Sequence, residues 1–176
     1  MNTDIDNDWM HMARSVTKYD PAFRDENGYY TKDDWTSRSD IGKIYDGRSF
    51  TLELYLETEQ KYIAAAKLFF QFHNCSAVLI GSLEKRAFSA GESSFPDYEK
   101  ANLVYHQMAE NGIILLNDLD TVTRLILREY IWCELFCAQS KDIAVRFGYD
   151  YYMYFNSPLT MEGLFKTIEE MGLFIW

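Results

Sequence analysis

The chain of 176 residues has the length of one domain, and its 17 basic and 27 acidic residues give a formal net charge of −10. Such a field repels phosphate backbones and anionic lipid and speeds encounter with basic proteins, which argues against direct nucleic-acid or membrane binding. No apolar run approaches the roughly 20 residues needed to cross a bilayer. The polar, acidic N-terminus is unlike a signal peptide, so we expect a cytoplasmic protein.

Residues 1–40 are the least patterned part of the chain, with nine acidic and five basic residues. We expect a short helix over residues 8–16 and then an ordered loop, since disordered segments seldom carry so many aromatic rings. The pattern predicts an acidic arm packed on the body of a single domain that spans residues 1–176. Five neighbouring residues of the arm combine rings with carboxylates: Tyr29, Tyr30, Asp33, Asp34 and Trp35.

A tight hairpin turn is predicted at Asp46-Gly47, because both residues tolerate the positive φ angles that a two-residue turn requires. After the turn, residues 50–56 alternate apolar and polar side chains, as a half-buried strand does. A helix is the alternative for the same residues. Thr58 is then predicted to cap a helix that ends near His73.

Residues 118–139 contain no Pro or Gly and carry apolar residues at helical spacing, which predicts a central apolar helix over residues 119–138. We expect this helix to be covered on most sides and its Trp132 to lie in the core. The apolar residues that define it are Val122, Leu125, Ile126, Ile131, Trp132, Leu135 and Phe136.

The remaining elements are predicted in sequence order: a strand at 76–81, a loop at 84–94, a helix at 96–110, a strand or helix entry at 113–116, strands at 143–147 and 151–155, a helix at 161–171 and a strand at 173–176. This order predicts an α+β or α/β domain, in which a small mixed sheet of hairpins is flanked by helices around the central helix.

The three cysteines, Cys75, Cys133 and Cys137, form an odd set inside apolar segments, which predicts unpaired, reduced thiols. Cys133 and Cys137 lie four residues apart and could share a metal on one helix face, but tetrahedral zinc needs about four ligands and no second pair appears. The common catalytic and phosphate-binding motifs are absent from the sequence. We therefore expect a protein that is not an enzyme and that holds neither a metal nor a cofactor.

The aromatic run 147–155 is the best candidate for a binding surface. As a strand it would place Asp150, Tyr152 and Tyr154 on one face, where an acid among tyrosines suits the Lys and Arg side chains of a partner. The alternative is that the tyrosines fill a half-buried sheet. The predicted partner-binding residues are Tyr29, Tyr30, Asp33, Asp34, Trp35, Asp150, Tyr152 and Tyr154.

In overall character this small, acidic, aromatic-rich chain resembles the bacterial immunity proteins that neutralise toxin domains. The residues behind the resemblance are 147–155 and the last helix with its ending Gly172-Leu-Phe-Ile-Trp176. The resemblance implies tight binding to a basic toxin domain and no catalysis. Two other classes stay open, a small-ligand enzyme or sensor with a pocket between sheet and helices, and a subunit of a homo-oligomer.

Overall fold

The computed structural model describes residues 13–87 and 95–176. The helices are α1 (Leu52–Phe72), α2 (Tyr98–Gln107), α3 (Leu119–Leu127) and α4 (Glu162–Glu170), with short 3-10 helices at Pro21–Phe23 and Arg38–Asp40. The strands are β1 (Arg14–Thr17), β2 (Ile44–Tyr45), β3 (Arg48–Ser49), β4 (Ala77–Lys85), β5 (Ile113–Leu115), β6 (Ile131–Cys137), β7 (Ser140–Phe147), β8 (Tyr152–Asn156) and β9 (Phe174–Ile175).

Seven of the strands form one sheet in the order β5-β4-β6-β7-β8-β1-β9, and β2 pairs only with β3. Helices cover one face of the large sheet, where the ring of Phe69 in α1 lies 4.4 Å from that of Phe155 in β8. This confirms the predicted single α+β domain. The sheet is antiparallel at every described pairing, however, so the predicted mixed sheet is wrong.

The predicted central helix over 119–138 is right only for its first half. Helix α3 ends at Leu127, Glu129 takes a left-handed φ of 61°, and β6 begins at Ile131. In β6 each buried residue is followed by a half-buried one. Rings and branched side chains at alternating positions suit a strand, and β6 pairs with β4 on one side and β7 on the other.

The strand predicted for residues 50–56 is also wrong, and the alternative helix is right. Thr51 caps α1 by accepting a hydrogen bond from the backbone N–H of Leu54. Thr58 therefore lies inside the helix instead of capping it, and its hydroxyl donates to the carbonyl of Leu54. Leu52 and Leu56 are four residues apart, a spacing that suits one face of a helix as well as one face of a strand, while Leu54 is exposed. The cap decides between the two periods.

The N-terminal helix predicted at 8–16 lies partly outside the described residues. Within them Arg14–Thr17 is a strand of the large sheet, hydrogen-bonded between β8 and β9, so that part of the prediction is wrong. The hairpin turn at Asp46-Gly47 is confirmed, with φ angles of 48° and 72°. The strands predicted near 76–81, 143–147 and 151–155 and the helices near 96–110 and 161–171 are also present.

Two of the three cysteines are paired, which corrects the prediction of unpaired thiols. Cys75 and Cys137 form a disulfide with their Cα atoms 5.7 Å apart. They meet because β4 and β6 are neighbours, with the N–H of Ala138 donating to the carbonyl of Ala77. Cys133 is a buried free thiol, and burial raises its pKa to about 12.

Candidate functional site

The large sheet has one face beneath the helices and one open face. In β6, Cys133 and Leu135 are buried, while Trp132, Glu134 and Phe136 point the other way and are half-buried. The strand registers extend this alternation across the sheet. The open face consists of Ile113 and Leu115 from β5, Ala77, Leu79, Gly81 and Glu84 from β4, Trp132, Glu134 and Phe136 from β6, Arg146 from β7, and Tyr152 and Tyr154 from β8.

Two rings of the open face lie against glycine backbone. A Cβ on Gly81 would lie 2.8 Å from Cε2 of Phe136, and a Cβ on Gly148 would lie 2.8 Å from Cε2 of Tyr154. Glycine leaves the room that both rings occupy. At the edge of the sheet, Ile113 is 66% exposed. The open face therefore presents aromatic and apolar surface to solvent.

The charged groups of the open face are an ion pair, an exposed carboxylate and, over its tyrosine end, the guanidinium of Arg24. Glu134 and Arg146 form an ion pair across β6 and β7, and the hydroxyl of Ser82 donates to the other oxygen of Glu134 at 3.1 Å. Glu84 is exposed and lies opposite Trp132 in the register of β4 and β6. Because the ion pair neutralises Arg146, the carboxylate of Glu84 is the excess charge beside the rings.

The segment that follows β1 folds back over the β8, β1 and β9 end of the open face. The guanidinium of Arg24 donates to the hydroxyl of Tyr152 at 2.6 Å and lies 4.5 Å from the ring centroid of Trp176. The ring of Tyr19 lies 4.7 Å from that of Tyr30 and 5.6 Å from that of Tyr152. This contact set joins the N-terminal segment to the C-terminal residue.

The structure brings four of the eight predicted partner-binding residues to this end of the face. Tyr30, Tyr152 and Tyr154 belong to a tyrosine cluster around Tyr19, and the rings of Tyr152 and Tyr154 stack with their centroids 6.4 Å apart. Burial raises the pKa of both Tyr30 and Tyr154. Asp34 adjoins the cluster through Lys18, which contacts both Asp34 and the ring of Tyr19.

Lys18 lies between two rings and a carboxylate. Its ammonium is 2.6 Å from Asp34, 4.1 Å from the ring centroid of Tyr19 and 4.2 Å from that of Trp35. Burial lowers the pKa of Lys18 to about 8, against the opposing effect of Asp34. Asp34 also accepts from the backbone N–H of Trp35, so this carboxylate holds the loop together.

The other four predicted residues are separated from the cluster or buried. Trp35 is 8% exposed and stacks on Phe50 at 4.3 Å, so it packs in the core and offers little surface to a partner. Tyr29 and Asp33 are exposed on the loop before it. Asp150 lies in the turn between β7 and β8, at the mouth of a cleft.

This cleft has a volume of about 160 Å³ and lies at the end of the sheet where β6 begins and β7 ends. Its floor is apolar, and its outer wall is made by Trp132 and Tyr149, whose ring centroids are 5.5 Å apart. Trp132 and Tyr152 belong to both the cleft and the open face. The charged and aromatic residues of its lining include Arg86, Glu129, Trp132, Tyr149 and Asp150.

Three of the residues that line the cleft have a left-handed backbone. Glu129, Asp150 and Tyr151 have φ angles of 61°, 54° and 60°, a region that favours glycine. Tyr151 is held by packing, since its ring lies edge-on to Trp35 at 4.7 Å and its carbonyl accepts from Tyr62. Strained backbone of this kind concentrates at binding sites.

The sequence prediction missed the strand side of the site. The pattern predicts a helix for Trp132, Glu134 and Phe136, although residues 131–137 alternate in a way that a strand also satisfies. That alternation is the sequence signal that indicates a strand here. Arg24 carried no local signal, because its partners Tyr152 and Trp176 lie far away in sequence.

Comparison with protein-family models, with curated proteins and with solved structures finds no match for this chain. In the described residues, no helix is long and apolar enough to cross a membrane. Across 13–87 and 95–176, no three His, Cys, Asp or Glu side chains are grouped to hold a metal ion. In the residues that the structure describes, the protein is a two-layer α+β domain, and the sheet face opposite the helices carries aromatic and apolar side chains beside the exposed carboxylate of Glu84.

Proposed function

We propose that this protein is a non-catalytic binding protein that neutralises or regulates a basic protein partner. Its proposed role is that of an immunity protein that blocks a cognate bacterial toxin domain. The observation that carries the proposal is the open face, where aromatic and apolar side chains stand beside an exposed carboxylate on a chain of net charge −10. Charge depletion and aromatic enrichment at the centre, with charge at the rim, is the common composition of a protein interface.

The two kinds of group have separate roles in binding. Exposed acids such as Glu84 and Asp150 attract a basic surface over several ångströms and mainly raise the association rate. Rings such as Trp132 and Phe136 lose water on contact and mainly slow dissociation. The tyrosine cluster extends this surface towards the loop that carries Tyr29 and Asp33.

We propose the cytoplasm as the compartment. Thiols are kept reduced there, so Cys75 and Cys137 would be a dithiol in the cell and a disulfide after purification in air.

The test uses the product of the neighbouring reading frame as the candidate partner. The association rate is measured by stopped flow at low and physiological salt for the natural protein and for a double variant, Glu84→Lys with Asp150→Lys. The control is a second double variant with the same change of charge, Glu162→Lys with Glu170→Lys, on the exposed side of α4 in the helix layer. We expect the open-face variant to associate about tenfold more slowly or worse at low salt, and the control less so.

Equal slowing in both variants would show that only net charge matters and that the open face is not the interface. A protein that binds no basic partner, and instead takes up a small metabolite in the cleft, would favour the alternative of a small-ligand sensor.

A further inference from the structure

The cleft at the end of the sheet combines an apolar floor, ring faces and carboxylates. We infer that it is a slot for one guanidinium group, the side chain of an arginine presented by the partner. This inference rests on the proposed function and names the partner group that the site takes.

The size of the cleft suits a single side chain. Its volume of about 160 Å³ is close to the roughly 150 Å³ of a cavity that holds benzene, so one planar group fits. Trp132 and Tyr149 make one wall, and Tyr149 is 79% exposed, so its ring can meet an incoming group. Guanidinium ions stack on Trp and Tyr faces, with Trp the better surface.

Glu129 occupies a position where glycine would be favoured. The N–H of Glu129 donates to the carbonyl of Ile126 and that of Tyr130 to the carbonyl of Leu125, which is the Schellman ending of a helix. The left-handed residue of that ending is usually Gly, and a carboxylate at the negative end of a helix is also unfavourable. The arrangement costs stability and places a carboxylate in the cleft.

The carboxylate of Glu129 already holds a guanidinium loosely. The hydroxyl of Ser37 donates to Oε1 at 3.0 Å, while Nη1 of Arg86 lies 3.7 Å from Oε2. The side chain of Arg86 is 65% exposed, so this contact is weak and easily exchanged. An arginine from a partner would be desolvated by Trp132 and by the floor, and its contact with Oε2 would be stronger.

Asp150 supplies the second carboxylate of the slot. It lines the cleft from the left-handed turn between β7 and β8, where Asp tolerates positive φ better than most residues. A planar guanidinium has donors for both carboxylates and a flat face for a ring, whereas the ammonium of lysine lacks the flat face. The slot therefore prefers arginine to lysine.

The experiment titrates the full chain with N-acetyl-arginine amide and follows the indole N–H signals by NMR. The matched probes are the citrulline analogue, which is neutral and nearly the same shape, and the lysine analogue. We expect saturable binding of the arginine probe only. In Glu129→Gln the affinity for this probe should fall about tenfold or more. We expect tighter binding in Arg86→Ala, because the resident guanidinium is gone.

A second measurement separates the role of Glu129 from mere folding. Glu129→Gly and Glu129→Ala both remove the carboxylate, but only glycine relieves the left-handed backbone. We expect Glu129→Gly to melt higher than Glu129→Ala while both lose the arginine probe. Failure of the natural protein and Arg86→Ala to bind the arginine probe would overturn the slot, and so would equal binding of citrulline.

Failure of the slot and failure of the proposed function are distinguishable. If a basic partner binds with an affinity that Glu129→Gln leaves unchanged, the slot is wrong and the proposed function stands. If the arginine probe binds as expected but the product of the neighbouring reading frame does not bind, the slot stands and the proposed function loses its partner.

Discussion

The ring of Phe136 lies directly against Gly81 of the neighbouring strand, so close that a Cβ on Gly81 would be 2.8 Å from Cε2 of that ring. The two residues sit on the open face at the centre of the sheet, in β6 and β4. The glycine weakens the strand but gives the ring a surface to rest on. Together they form a flat apolar area beside the Glu134–Arg146 ion pair.

Gly81→Ala should destabilise the protein by about 1–3 kcal/mol, because the ring of Phe136 must leave its position. Gly163→Ala is the matched control, since a Cβ at Gly163 meets nothing within 4 Å and Ala favours helix α4. Urea unfolding of both variants measures the difference. A Gly81→Ala variant as stable as the natural protein would show that the ring has free space to move.

The sequence predicts the α+β class because hairpin, helix and strand signals alternate along the chain, and each is decided locally. The Asp46-Gly47 turn and the alternation of Tyr152 and Tyr154 in β8 are local features, and both are confirmed. Residues 131–137 satisfy helical and strand periods together, so only their pairing with β4 and β7 decides the outcome. That pairing is invisible in one sequence.

Trp132→Ala and Leu135→Ala distinguish the strand from the predicted helix. In a buried helix both would cost several kcal/mol, whereas in β6 they lie on opposite faces and only Leu135 is fully buried. We expect Leu135→Ala to cost about 2–5 kcal/mol and Trp132→Ala clearly less, because Trp132 is half-buried on the open face. Equal losses in urea unfolding would contradict the two-faced strand.

The partner-binding residues were predictable only where a strand defines their direction. Alternation in β8 places Tyr152 and Tyr154 together, and the structure adds Tyr30 to them. Trp35 was misplaced because an aromatic residue among acids looks the same in a surface loop as in one that turns inward. Its burial depends on Phe50, which the hairpin brings beneath it.

The disulfide predicts the number of free thiols, which a titration can count. Protein purified in air and unfolded without reductant should show one thiol, Cys133, and three after reduction. Closing a loop between residues 75 and 137 restricts the unfolded chain, so reduction of the disulfide should lower the stability by about 2–4 kcal/mol. Three thiols without reductant would restore the expectation of unpaired cysteines.

Glu59 of α1 and Arg128 at the end of α3 form a buried ion pair between the two helices. Both side chains are nearly inaccessible, and two guanidinium nitrogens lie 2.7 Å from the two carboxylate oxygens. Arg128→Met removes both short contacts and leaves the buried carboxylate with the hydroxyl of Tyr55 at 3.1 Å and Nε of Arg124 at 3.8 Å. The more distant Arg124 compensates the charge only in part, so the variant should cost about 3 kcal/mol.

The control is the double variant Glu59→Leu with Arg128→Met, which removes both charges at similar volume. We expect it to recover most of the lost stability, since a buried pair is often replaceable by apolar residues. A double variant that is less stable than Arg128→Met alone would show that the pair contributes net stability.

His73 makes the stability depend on pH. Its ring packs between Phe69 and Phe72, with centroid distances of 4.7 and 5.0 Å, and no hydrogen-bond partner for either ring nitrogen lies in the described part of the chain. Burial lowers the pKa of His73, so the folded state binds fewer protons than the unfolded one. The neutral ring of His73 therefore contributes fully to the free energy of unfolding above the unfolded pKa of about 6.5. This contribution is lost as the pH falls from there through the folded pKa.

His73→Leu should flatten this part of the pH profile. The difference in unfolding free energy between His73→Leu and the natural protein should grow in favour of the variant as the pH is lowered from 7 to 5, because the leucine never needs to lose a proton to stay buried. His73→Gln, which is polar but does not titrate, should flatten the profile equally and separates the charge from the loss of a polar group. Urea unfolding at each pH measures all three proteins, and parallel profiles for the natural protein and His73→Leu would show that the ring is hydrated in the folded state.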